Sequence, residues 1–143
     1  MAISDMQERT SVVEGTNSQD IFFLKGTSET PEVLLDRKNG VMKFSGRSLP
    51  ENAKSVYNDI KDWVHWYSQD PLQGTHVIFS FDYFNTASSK MIMEVLDTIK
   101  IIEQKDNSLT IDWHYQEDDE DMFEAGEDFA EISELKFNFY SYE

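Results

Sequence analysis

The residues best suited to chemistry lie in Phe81-Asp82-Tyr83-Phe84-Asn85-Thr86-Ala87-Ser88-Ser89-Lys90. A short apolar run, His76-Val77-Ile78-Phe79-Ser80-Phe81, leads into it, and apolar residues at helical spacing follow. In an α/β sheet a strand-to-helix junction of this kind lies at the carboxyl edge, where ligands and functional groups collect. A phosphate placed there would add about −1.5 to −2 charges beside free backbone N–H groups and the positive end of a helix. Thr86 is the first hydroxyl after the strand, which makes it the expected N-cap, with a hydroxyl exposed and free to be modified. Ser88 and Ser89 fall in the first helical turn, shielded there but placed to hold a phosphate, and Lys90 would add a charge-assisted contact. Tyr83, Phe84 and Asn85 complete a compact surface for a partner. The same residues also describe an ordinary helix start, in which a Thr86 cap contributes about 1 kcal/mol and nothing more.

Other chemistries have less behind them. The chain has no cysteine, which removes thiolate catalysis, disulfides and Cys-based zinc sites together. Its histidines, His65, His76 and His114, stand in no catalytic motif, and the six glycines are too scattered for a phosphate loop. The acidic run from Glu117 to Asp121, continued to Glu134, lacks the alternating ligands and central glycine of a calcium loop. No catalytic residue, metal site or cofactor is expected; a solvated helix start or a partner-facing surface accounts for the run.

The charge narrows the partners. With 28 acidic and 12 basic residues the chain carries −16, which repels nucleic-acid backbones and anionic lipid. Proteins with basic rims are the expected partners, with no nucleic acid and no membrane insertion. No stretch approaches the roughly 18 apolar residues of a spanning helix. The first residues show neither the basic nor the apolar region of a secretory signal, so a cytoplasmic location is expected.

The elements that must position the junction follow from periodicity. Residues 1–20 are polar and aperiodic, and are expected to be a disordered or loosely attached extension of a single domain over 21–143. Ile21 to Leu24 reads as a strand. Val33-Leu34-Leu35 and Val41-Met42-Lys43-Phe44 flank Asn39-Gly40, a hairpin signal. Ser48-Leu49-Pro50-Glu51 has capping-box spacing, and Ala53, Val56, Tyr57, Ile60, Trp63, Val64 and Tyr67 recur as one helical face. The run 76–81 reads as a strand covered on both faces. A helix from Thr86 to Ile102, a strand at 109–115, a helix from Asp119 to Ile132 and a strand at 135–139 complete the order. Strands alternating with helices imply an α/β fold, a mixed sheet packed by about three helices through right-handed crossovers.

Three segments carry a family resemblance: Gly46-Arg47-Ser48-Leu49-Pro50-Glu51-Asn52-Ala53, then Tyr83-Phe84-Asn85-Thr86-Ala87-Ser88-Ser89-Lys90, then Asp118 through Ala130. Over residues 21–142 the chain resembles the SiaC-like family of bacterial regulatory phosphoproteins, which has a STAS-like fold. Ala87 departs from the family pattern, which has a serine there, and the N-terminal extension has no counterpart. The resemblance implies a switch rather than an enzyme. Thr86 would be phosphorylated by a partner kinase and dephosphorylated by a PP2C-type phosphatase. The unphosphorylated form would bind an effector, a diguanylate cyclase, and so act in cyclic-di-GMP signalling and biofilm regulation. The alternative is a constitutive acidic binding module that ignores the state of Thr86.

Overall fold

The computed structural model describes residues 18–105 and 107–143. Six strands, β1 (Ile21–Leu24), β2 (Glu32–Asp36), β3 (Val41–Ser48), β4 (Gly74–Phe84), β5 (Ser108–Gln116) and β6 (Asn138–Tyr142), form one sheet in sequential order. The pairings β1–β2 and β2–β3 are antiparallel, and those from β3 to β6 are parallel. Three helices, α1 (Ala53–Ser68), α2 (Thr86–Glu103) and α3 (Glu120–Ser133), make the three parallel crossovers.

Burial alternates along the strands. Val33, Leu35, Met42, Phe44, Val77, Phe79, Phe81, Ile111 and Trp113 are all buried on the face the helices cover. Ile78 and Ser80, which point the other way, are only half-buried, and Phe23 and Tyr140 stand 53% and 48% exposed. The expectation that β4 is covered on both faces is therefore corrected. Successive crossovers of one hand, stepping one way along a sheet, stack their helices on one side.

The β2–β3 hairpin forms as its Asn-Gly signal predicts, but with the four-residue loop 37–40, because Asp36 pairs with Val41. Only Gly40 takes a positive φ (65°). Asn39 instead donates its backbone N–H and its Nδ2 to the Asp36 carboxylate. Residues 1–17 of the expected extension lie outside the described residues. Its last three form a 3-10 turn tied to the sheet and to α1: the Gln19 carbonyl accepts from Trp63 Nε1 at 2.6 Å, and that of Asp20 accepts from the Arg37 N–H at 2.8 Å. Gln19 and Asp20 are thereby held against α1 and the sheet.

One further boundary moves, and one helix face differs. After Glu134 takes a left-handed φ of 61°, Leu135 and Phe137 are buried as predicted, yet ladder pairing with β5 starts only at Asn138. Hydrophobic alternation reports burial, not which residues find a strand partner. In α3, Ile132 is 68% exposed and Gly126 takes the core side instead.

Gly126 is where α3 meets Trp113. A Cβ there would lie 2.6 Å from the indole Cδ1 and Nε1. Gly to Ala inside a helix ordinarily stabilises by about 0.5–1 kcal/mol. Here overpacking, typically about 1–3 kcal/mol, outweighs that gain. Gly126→Ala should lower unfolding stability by about 1–2 kcal/mol in urea titration, and a stabilised variant would show that the ring can retreat.

Candidate functional site

The site is built where β3 and β4 end together at the carboxyl edge. A bulge at Gly46 (φ 85°) shifts the register, so that Arg47 pairs with Tyr83 and Ser48 with Phe84. The Asn85 N–H donates to the Ser48 carbonyl at 3.0 Å, which fixes the last residue before α2 to the end of β3. Asn85, in extended backbone, is the N-cap of α2: its Oδ1 accepts from the Ser88 N–H at 2.8 Å. Thr86 is therefore the first residue inside the helix, not its cap, and its side chain is exposed. Asn outcompetes Thr because its short amide oxygen reaches the N3 amide from one residue earlier.

Ser88 corrects the expected phosphate cradle. It is fully buried, and its Oγ accepts from Ser48 Oγ at 2.9 Å. Ser48 has one hydroxyl proton, already given to Ser88, so the 2.7 Å contact between Ser48 and Tyr57 must be donated by the phenol. Burial pushes the Tyr57 phenol up to about 12, which keeps it protonated as that donor. Three hydroxyls from β3, α1 and α2 thus close a chain beneath the start of α2. Ser48 is no capping-box residue either. It ends β3 with its hydroxyl turned inward, and α1 is capped by Asn52, whose Oδ1 accepts from the Ser55 N–H at 3.2 Å.

The remaining expected residues divide by exposure. Phe84 is half-buried and packs on Phe81, Trp113 and Phe129, with ring centroids 5.6, 6.4 and 5.8 Å away. It anchors the strand end, with part of its ring left open at the edge. Tyr83 is 49% exposed, with the Arg47 guanidinium 5.8 Å over its ring. Ser89 is half-buried and Lys90 exposed. Thr86, Tyr83 and Lys90 are thus the open members of the predicted set, while Asn85, Phe84 and Ser88 hold it in place. Sequence reasoning missed Arg47, Tyr57 and the hydroxyl role of Ser48; the Gly46 that turns the strand was the one local signal.

The other chemistry lies far off. His76 Nε2 donates to Asp112 Oδ2 at 2.6 Å, and Asn138 Nδ2 donates to Oδ1 of the same carboxylate at 3.2 Å. This pair lines a shallow hollow with Asn39, Thr110 and Tyr140, eight residues of β4 before Phe84, or about 26 Å along the strand. His114 stacks on Tyr140 at 5.2 Å, and His65 is exposed on α1. The acidic run opens α3, where Asp119 caps the Met122 N–H at 3.0 Å. Among the described residues no three His, Asp or Glu side chains converge as a metal site, and no helix is long and apolar enough to cross a membrane.

Comparison with known proteins places this architecture. Residues 24–142 match the family model described as "SiaC family regulatory phosphoprotein". SiaC of Pseudomonas aeruginosa superposes with a TM-score of 0.77 at 26% identity, over 85% of this chain and 98% of that one. A chain in the crystal structure of the diguanylate cyclase SiaD in complex with its activator SiaC, from the same organism, superposes with a TM-score of 0.78 at 27% identity, over 85% and 99%. An uncharacterized protein of Pseudomonas aeruginosa strain UCBPP-PA14 is 29% identical over 114 residues, 80% of this chain and 90% of its own length.

Proposed function

The chain belongs to the SiaC family of regulatory phosphoproteins, and from that premise we propose that it is a switch whose phosphoacceptor is Thr86 and whose effector is a diguanylate cyclase. It is a regulatory protein, not an enzyme. The observation that carries the residue assignment is the contrast between two hydroxyls two residues apart, about half a helical turn. Thr86 is exposed at the carboxyl edge, whereas Ser88 is fully buried in a hydrogen bond. A kinase must bring its own active site to the acceptor oxygen, which it can do only at the first.

In this reading a partner kinase and a PP2C-type phosphatase set the state of Thr86, in the cytoplasm. The unphosphorylated protein binds the cyclase and raises cyclic-di-GMP synthesis, with biofilm formation as the output. The effector class is supported by a structural relative that is the activator of SiaD. Phosphopeptide mapping of the protein from its own host, with a pull-down of wild type and Thr86→Ala, tests the reading. Phosphate on Thr86, and a cyclase retained by the alanine variant, are expected. Phosphate confined to Ser89 would take the switch off Thr86, and a cyclase captured equally by the phosphorylated and bare proteins would leave a constitutive binding module instead.

A further inference from the structure

The seam between α1 and α2 already holds an anion. Lys61 Nζ on α1 lies 2.5 Å from Glu94 Oε1 on α2. Lys61 first, then Lys90 and Lys54 through their charge, hold the Glu94 carboxyl below its usual range despite its exposure. The two helices run the same way, since both return from the carboxyl edge of a parallel strand. Lys61 is the ninth residue of α1 and Glu94 the ninth of α2. Seven residues earlier on each helix, about two turns and back on the same face, stand Lys54 and Ala87. Thr86, Lys90 and Glu94, spaced i, i+4 and i+8, form one stripe of α2.

Lys61 therefore faces a carboxylate, while Lys54 and Lys90 face a stretch of the seam where Thr86 offers a neutral hydroxyl. Lys54 and Lys90 are both exposed, and among the described residues neither has a salt-bridge partner within 4 Å. Glu94 lies two turns from Thr86, about 12 Å, and Asp97 lies a turn further on. Arg47, over the Tyr83 ring, supplies positive charge from the β3 side. In a chain of net charge −16, these three cations gather at an edge whose exposed acidic residues are Glu51, just before α1, and Asp82, near the end of β4.

We propose that Lys54 and Lys90 form a clamp, one cation from each helix, for a phosphate carried on Thr86. The phosphate would repeat, two turns up the seam, the bridge that Glu94 makes to Lys61. The clamp rests on the assignment of Thr86 as acceptor, and it turns phosphorylation into more than a steric mark. It would cross-link α1 to α2 and withdraw two cations from any partner that docks there.

The test needs no kinase. Phosphothreonine is placed at position 86 of the full chain by genetic encoding, and its second ionisation is followed by phosphorus NMR. An exposed phosphothreonine titrates near pH 6. Paired with two ammonium groups, the dianion should titrate roughly half a unit or more lower. Lys54→Gln with Lys90→Gln should remove most of that depression and return the phosphate toward pH 6, and Lys105→Gln, two residues past the far end of α2, should not. A phosphate titrating near 6 in the wild-type background overturns the clamp. So does a depression that survives the double substitution, which would assign it to the helix dipole alone. Because the phosphate is installed, the measurement stands even if mapping in the host places phosphate on another residue.

Discussion

A phosphate on Thr86 is expected to weaken binding to a diguanylate cyclase at least a hundredfold, about 3 kcal/mol or more. Thr86, Tyr83 and Lys90 are open side chains of the edge, and any partner seated on Thr86 must remove the acceptor oxygen from water. Burying a dianion without matched cations costs several kcal/mol. The cations of this surface, Lys54 and Lys90, belong to the protein itself and would be engaged by the phosphate. Thr86→Ala loses one methyl and one exposed hydroxyl, and should bind within about threefold of wild type, since surface changes of this kind usually fall within about 0.5 kcal/mol. Thr86→Glu should fall between them, because one carboxylate carries half the charge and lacks the third acceptor oxygen. Calorimetric titration of the cyclase with the four forms gives the ranking. An affinity that phosphate leaves unchanged would remove Thr86 from the interface.

Trp113→Ala is expected to cost about 3–5 kcal/mol, the largest loss of stability any single truncation in this chain should produce. Trp113 is fully buried. Its ring meets Phe79, Phe81, Phe84, Phe129 and Phe137 with centroids 5.4 to 6.4 Å away, and its Nε1–H donates to the Met122 carbonyl at 3.0 Å. The void would be shared by β4, β5, α3 and the segment before β6, and its surroundings relax only partially into such a space. In thermal unfolding the midpoint should fall by roughly 10–20 °C for a chain of this size. Trp113→Phe keeps most of the packing but leaves the Met122 carbonyl without that donor, and should cost about 1–3 kcal/mol. Because Phe84 leans on this ring, the alanine variant should also loosen the start of α2, seen as faster amide exchange at Ser88. A loss below 1 kcal/mol would mean that the aromatic cluster is not what holds the edge.

Much of this was legible along the chain. The faces of α1 and α2, the hairpin at Asn39-Gly40, the acidic start of α3 and the strand-to-helix junction at Thr86 follow from periodicity and turn chemistry. Those signals act over a few residues, and a local rule can read them. The order of strands and helices fixed the mixed sheet for the same reason, since each crossover returns beside the strand it left.

What only the tertiary structure decided are the contacts between residues far apart in sequence. Ser48 has the spacing of a cap, but a phenol nine residues on and a serine forty residues on give its hydroxyl better partners in the core. Thr86 stands where a cap is expected, but the Asn85 N–H is tied to β3, so the helix turns one residue earlier. Ser88 has the same hydroxyl as Ser89, and only the packing of α2 on β3 and α1 closes one and leaves the other half open. Lys61 and Glu94, thirty-three residues apart, meet across the seam between α1 and α2 and fix its register. Local free energies of capping and turning are about 1 kcal/mol, small enough for the burial of a distant hydroxyl or aromatic ring to override them.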